Sequence, residues 1–153
     1  MQGLNRVLRR VLVLMALMAV TMFTQCRVAE SSVAMRDVSM DGWTEPVTVS
    51  YNNTDTTPLR DLNVTLHINR HFTASDIALE ITTLTPDSLR YTESITLPVQ
   101  TKWPSNNTMA IDVELPYRRD VHFSHEGEYS IILRPLQNLQ GVEAAGINFQ
   151  TKR

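Results

Sequence analysis

The side chains with most chemistry to offer in this sequence are four histidines, one cysteine and two tryptophans. His67 and His71 are four residues apart. On a helix that spacing would aim both at one metal ion. The residues around them alternate as in a strand, however, where four residues span about 13 Å, and one ion cannot bridge that distance. His122-Phe123-Ser124-His125 brings two imidazoles together only if the chain turns after Phe123, and no cysteine or acid stands at ligand spacing beside them. We therefore expect no metal site and no cofactor. Serine, histidine and aspartate are all present, but no nucleophile elbow frames a serine. Asp112 and Glu114 alternate with the apolar residues of their segment, so they are expected to face water with nothing to raise a pKa. No catalytic site is expected. Trp43 and Trp103 suit a sugar-stacking platform if both rings are exposed. In the plainer reading, Trp43 caps a core just ahead of a strand at Val47, and Trp103 packs on a loop or edge. Arg118-Arg119, after Tyr117, reads as a solvated pair.

The elements that must carry these residues are strands. Leu62, Val64, Leu66 and Ile68 share one parity, and Asn63, Thr65 and His67 the other, which is expected to face water. Met109, Ile111, Val113 and Leu115 repeat the pattern, as do Ile77, Leu79 and Ile81. Val47, Val49 and Tyr51 form a further half-buried set. Tyr129, Ile131 and Leu133 alternate, with Ile132 adding an apolar residue on the opposite face. Tyr91–Leu97 is weaker, because Glu93 falls on the apolar parity. Ile147 and Phe149 close the chain, and Val121-His122-Phe123 reads as a short edge strand. Turn residues separate these runs at 52–58, 86–88, 104–107 and 126–128. Pro98 and Pro116 lack a ladder donor and are expected to end strands. Segment 134–144 shows no strand pattern and is expected to cross between sheets or edges, with room for one helical turn. About seven to nine short strands, each with one apolar face, predict an all-β fold. Its form would be a two-sheet antiparallel β-sandwich, immunoglobulin-like or jelly-roll-like.

The start of the chain reads differently. Arg6, Arg9 and Arg10 precede thirteen nearly all-apolar residues, Val11 to Phe23. A membrane span needs about 17–25 such residues, so this run has the length of a signal-peptide core. The lone cysteine, Cys26, follows three residues later, where it resembles the lipid-modified cysteine of bacterial lipoproteins. Gln25 stands where that pattern usually has a small residue. The competing reading is ordinary signal-peptidase cleavage after Ser32-Val33-Ala34. Two or three acyl chains on Cys26, at about 0.8 kcal/mol per buried methylene, would hold the body at a membrane. The expected division is a lipoprotein signal peptide at 1–25, the lipidated cysteine and a tether at 26–40, and a β-sandwich at 41–153. The tether is expected to become a first strand near Val33–Ser39.

Charge excludes one class of partner. Three of the 14 basic residues lie before residue 26, leaving 11 against 16 acidic residues in the body. An acidic body with two lysines and no basic patch does not neutralise phosphates, so nucleic acid is not an expected partner. One cysteine also excludes a disulfide framework within the chain.

The order of several motifs resembles the GldH-type gliding-motility lipoproteins of Bacteroidetes. These are Asp41-Gly42-Trp43, Asn53-Thr54-Asp55-Thr56, the alternating segment 62–70, Val121-His122-Phe123, Gly127-Glu128-Tyr129 and the closing Leu139–Ile147 segment with Gly141 and Gly146. The resemblance covers roughly residues 35–150. The family usually shows a Met-Arg pair before its final Leu-x-Gly, where this chain reads Leu133-Arg134-Pro135-Leu136. The resemblance implies a non-enzymatic lipoprotein of the cell envelope that works through protein contacts with a motility or secretion apparatus. It makes Trp43, Gly127, Tyr129, Gly141 and Gly146 structural motif residues. Surface-displayed lipoproteins of these bacteria commonly carry acids just after the cysteine. Cys26-Arg27-Val28-Ala29-Glu30-Ser31-Ser32 has one, so the body is expected to face the periplasm from the outer membrane. Exported proteins of the group can be O-glycosylated at Asp-Ser/Thr patterns, which makes Ser88 and Thr56 candidate acceptors in turns. The reading from another class is a lipid-anchored carbohydrate-binding module.

Overall fold

The structure, a computed structural model, describes residues 31–39 and 41–152. Cys26 and the segment 1–25 lie outside the described residues. Eight antiparallel strands and no helix make up the described chain. They are β1 (Ser31–Asp37), β2 (Val47–Asn53), β3 (Leu59–Asn69), β4 (Asp76–Leu84), β5 (Arg90–Pro98), β6 (Ala110–His122), β7 (Gly127–Pro135) and β8 (Val142–Thr151). Two four-stranded sheets, in the orders β1-β8-β3-β6 and β2-β7-β4-β5, stack as a β-sandwich. The chain changes sheet between β1 and β2, β2 and β3, β3 and β4, β5 and β6, β6 and β7, and β7 and β8. Only the β4–β5 hairpin stays within one.

The apolar parities meet in the middle. From the first sheet, Val64, Leu66 and Ile68 are fully buried, opposite Ile147, Ala145 and Val142 of β8. From the second sheet, Ile77, Leu79, Ile81, Ile131 and Leu133 are equally buried. Each fully buried aliphatic side chain contributes about 1.5–3 kcal/mol through removal from water. The two ends are closed differently. At one end Trp43 and Leu139 exchange backbone hydrogen bonds of 2.9 and 3.1 Å, and the Trp43 indole N–H donates to the Glu45 carbonyl at 2.8 Å. At the other, Tyr51, Phe123, Tyr129 and Phe149 form an aromatic cluster, with Tyr51 stacked on Phe149 at 4.2 Å and Phe123 edge-on to Tyr129 at 4.6 Å.

Several expectations change. Asn63 and Thr65 are 5% and 4% exposed and do not face water, because β3 is an interior strand, flanked by β8 and β6. Met109 is 77% exposed, since the strand it was expected to open begins at Ala110. Pro116 does not end a strand. It is exposed in the middle of β6, an edge strand where a missing donor costs no ladder bond on the open side, near register shifts opposite β3. Val121-His122 is the end of this same strand, not a separate one. Segment 134–144 contains no helical turn; β7 runs to Pro135 and β8 starts at Val142, and the loop between them crosses sheets. Within 26–40, the stretch from Ser31 to Asp37 is a strand of the sandwich. All seven of its residues pair with β8, from Ser31↔Gln150 to Asp37↔Ala144.

Candidate functional site

Strand register places the chemistry-bearing side chains in three groups. The first is on the outer face of the first sheet. His67 Nδ1 lies 2.7 Å from Asp112, its partner across the β3–β6 ladder, and Nε2 lies 3.6 Å from Glu143. Asn69 donates to the same Glu143 at 2.8 Å. Next to them, Glu114 accepts from Asn63 at 3.2 Å and from Asn148 at 2.7 Å. These are cross-strand pairs that tie the sheet together. The histidines do not converge. His71 is exposed, His122 Nε2 contacts the Thr56 carbonyl, and His125 lies 4.0 Å from Asp87. Among the described residues no three His, Cys, Asp or Glu side chains are grouped to hold a metal.

The second group closes the seam between the edge strands β5 and β6. Glu93, on the inward parity of β5, accepts the Tyr117 hydroxyl at 2.5 Å and an Arg118 N–H at 2.6 Å. The Arg118 guanidinium holds the Glu93 carboxyl below its ordinary range; partial burial opposes this, and Tyr117 reinforces it. Burial first, and then Glu93, push the Tyr117 phenol above its ordinary range. Arg118 is thus an ion-pair partner and not a free surface charge. Arg119 likewise reaches Asp61 at 2.7 Å. Below the seam lies a cavity of about 340 Å³ bounded by Leu62, Tyr91, Tyr117 and Phe123.

The third group lies at the end of the sandwich that holds Ser31, the β2–β3 loop and the end of β8. A cavity of about 360 Å³ opens there, lined among others by Tyr51, Asn52, Thr54, Arg60, Thr151 and Lys152. Arg60, second residue of β3, is 4% exposed. Its guanidinium carbon sits 5.4 Å from the Tyr51 ring centre and 5.6 Å from that of Phe123. It donates to the backbone carbonyls of Asp55 at 3.0 Å and Pro58 at 3.3 Å. Its Nε has no hydrogen-bond partner. Among the described residues no carboxylate hydrogen-bonds to it, although the Asp55 charge acts on it from the β2–β3 loop. Lys152, by contrast, is neutralised by Asp120 at 2.7 Å and Asp61 at 3.1 Å. Burial pushes the Asp61 carboxyl up, but the Asp120 N–H, Arg119 and Lys152 together more than offset this and leave it below the ordinary range. Nothing in the sequence singles out Arg60, which stands one residue after Leu59 at a strand's start.

The residues named by the motif order occupy positions of construction. Trp43 is 1% exposed, so it cannot offer its ring to a sugar, and Trp103 is half-buried under Arg70, whose guanidinium lies 4.1 Å above it. The two do not form a platform. Gly141 has φ +77°, in the left-handed region that favours glycine, and a Cβ there would overlap the backbone of Phe72. At Gly146 a Cβ would overlap the Ala34 carbonyl oxygen, so only glycine lets β1 run this close to β8. Gly127 opens β7 against Pro86, and the Tyr129 hydroxyl donates to the His125 carbonyl at 3.3 Å. Ser88 is exposed in the β4–β5 turn with φ +67°, and Thr56 is half-buried in the β2–β3 loop. Both lie at the same end as the Arg60 cavity. No protein-family model and no curated protein matches the chain.

Proposed function

We propose that this chain is a non-enzymatic, lipid-anchored protein of the cell envelope, similar to the GldH-type lipoproteins, that acts through contacts with envelope proteins of a motility or secretion apparatus. The observation that carries the reading is that the chain is already paired in a strand at Ser31, the first described residue. β1 starts at Ser31, five residues after Cys26. A fully extended chain covers about 3.3–3.6 Å per residue, so the reach from an acylated Cys26 to the body is at most about 18 Å. A signal-peptide core, a cysteine and a body that folds almost at once suit a protein docked at a membrane surface. Cleavage after Ala34, the competing reading, would cut inside β1 and remove the part of it that pairs with Gln150, Phe149, Asn148 and Ile147. This supports Cys26 as the processing site.

On this reading the body faces the periplasm from the outer membrane, and exposed apolar side chains such as Leu89, just before edge strand β5, and Tyr91, within it, 49% and 59% exposed, are available to protein partners. Ser88, more open than Thr56, is the better acceptor for an O-linked glycan. The test is fractionation with mass spectrometry. The parent protein should partition with membranes and carry acyl mass on an N-terminal Cys26, whereas Cys26→Ser should be soluble in the envelope fraction or remain as precursor. A mature N-terminus at Met35 without acyl mass would overturn the anchor. Protease added to intact cells should spare the body. Capture of the lipidated protein from detergent should bring down other envelope proteins. Digestion in intact cells would place the body outside and count against a periplasmic role.

A further inference from the structure

A buried guanidinium without a counter-charge costs free energy unless something neutralises it. Arg60 is close to that position: no carboxylate hydrogen-bonds to it, and the nearby negative charge is that of Asp55, on the exposed β2–β3 loop. It is 4% exposed, with two of its five N–H donors spent on backbone carbonyls and an Nε without a partner. Two aromatic rings soften the cost but supply no anion. The side chain forms part of the wall of the cavity of about 360 Å³, which also offers the Asn52 amide and the hydroxyls of Thr54 and Thr151. Three charged residues line it: Arg60, Lys152 and Asp55. The Asp55 carboxylate accepts the Thr57 N–H at 2.8 Å, which together with the nearby Arg60 charge holds it below the ordinary range; with no hydrogen bond to the guanidinium it offsets that charge only in part, and it opposes a second anion. Lys152 is committed to Asp61 and Asp120. Arg60 is the cation in the wall with no carboxylate hydrogen-bonded to it.

We propose that this cavity binds a small oxyanion, a phosphate group above all, which pairs with the Arg60 guanidinium and takes further hydrogen bonds from the hydroxyl and amide walls. The planar fork of arginine matches oxyanions through paired N–H bonds, as an ammonium does not. The phosphate has two sources, a lipid headgroup or a free anion. Ser32 also lines the cavity, so the cavity lies at the start of β1, six residues after Cys26 in the sequence. The headgroup source alone rests on the lipid-anchor reading; the oxyanion site stands without it.

The test uses the full chain, ¹⁵N-labelled, in a zwitterionic detergent. The readout is the side-chain Nε–H resonance of Arg60, assigned by its loss in Arg60→Lys. Titration with inorganic phosphate at constant ionic strength should shift it saturably, and glucose should not. Arg60→Lys keeps the charge but loses the fork, and backbone amide shifts at Asn52 and Thr151 should then report binding at least about tenfold weaker. Should that variant fail to fold, Asn52→Asp adds a carboxylate at an exposed wall position and should weaken phosphate binding several-fold. A second arm adds vesicles of equal parts phosphatidylglycerol and phosphatidylcholine, against phosphatidylcholine alone. Arg60-dependent binding to the anionic vesicles assigns the headgroup; saturable phosphate binding without it assigns a free anion. A linear, unsaturating phosphate shift that survives in Arg60→Lys means an adventitious ion only and overturns the proposal. So does the absence of any response to phosphate and to anionic vesicles. If Cys26 proves unmodified while phosphate still binds, the anchor fails and the oxyanion site stands.

Discussion

Replacing Gly146 by alanine tests how the first strand is held. The added methyl would meet the Ala34 carbonyl oxygen and the Met35 Cα of β1, both backbone, so no rotamer change relieves the contact. Gly146 sits opposite Met35, fifth of the seven β1 residues that pair with β8, so the strain enters well inside the ladder. If β1 and β8 shift apart together, the cost is that of overpacking, about 1–3 kcal/mol. The alternative is release of β1. Its backbone bonds are worth about 1 kcal/mol each, net of water, and ordering each residue costs about as much, so the free energy holding the strand is only a few kcal/mol and caps the damage. For a domain of this size about 1–3 kcal/mol lowers Tm by about 5–15 °C. Circular dichroism melting gives the first number. Hydrogen exchange separates the two outcomes: in release, amides of Ser31–Asp37 lose protection while β3, β4 and β7 keep theirs. Release would also add seven residues to any tether, about 23 Å of reach. Val33→Ala, at a position 53% exposed in the same strand, should change stability by less than about 0.5 kcal/mol. The reasoning fails if Gly146→Ala melts with the parent and keeps Ser31–Asp37 protected.

Thr65→Asp places a charge at a site 4% exposed and should cost several kcal/mol in chemical denaturation, whereas Thr65→Val should stay within about 1 kcal/mol, because the threonine hydroxyl has no partner to lose. Trp43→Ala removes a fully buried indole and should cost about 3–5 kcal/mol, read as a lowered denaturation midpoint with unchanged m-value. Glu93 should contribute to acid sensitivity. Its folded pKa lies below the ordinary 4.5, so its stabilisation is complete above that pH and is lost as pH falls through the folded value. Glu93→Gln should therefore flatten the acid limb of the stability–pH curve, and an unchanged limb would remove Glu93 from the account.

Alternation made the architecture legible. Leu62, Val64, Leu66 and Ile68 were readable as one buried row because period two leaves no other way to hide them together. What alternation does not carry is a strand's place in the sheet. Asn63 and Thr65 sit on the outer parity and are buried all the same, since β3 has neighbours on both sides and Glu114 and Asn148 reach across to Asn63's level. Glu93 appeared as a flaw in the pattern of β5. It is the acceptor for Tyr117 and Arg118 from the facing edge strand, a contact set by which edges of the two sheets meet. Arg60 was silent for a related reason: its burial depends on Tyr51, Phe123 and the β2–β3 loop, which come from other parts of the chain.

The pairing of β1 with β8 has a mechanical consequence. Ser31 lies opposite Gln150, near the chain's last residues, while the Trp43–Leu139 bridge and Gly141 lie at the opposite end of the sandwich. A pull transmitted through the residues before Ser31 enters at one pole. If a partner grips the Trp43 pole, tension runs along the strands and the β1–β8 bonds, which lie across them, resist together in shear. A partner gripping the Ser31 pole would instead peel β1 open one pair at a time. The same seven pairs would hold firmly against the first and yield readily to the second, so the fold is a strong link for a load applied lengthwise and a weak one for a load applied at its base.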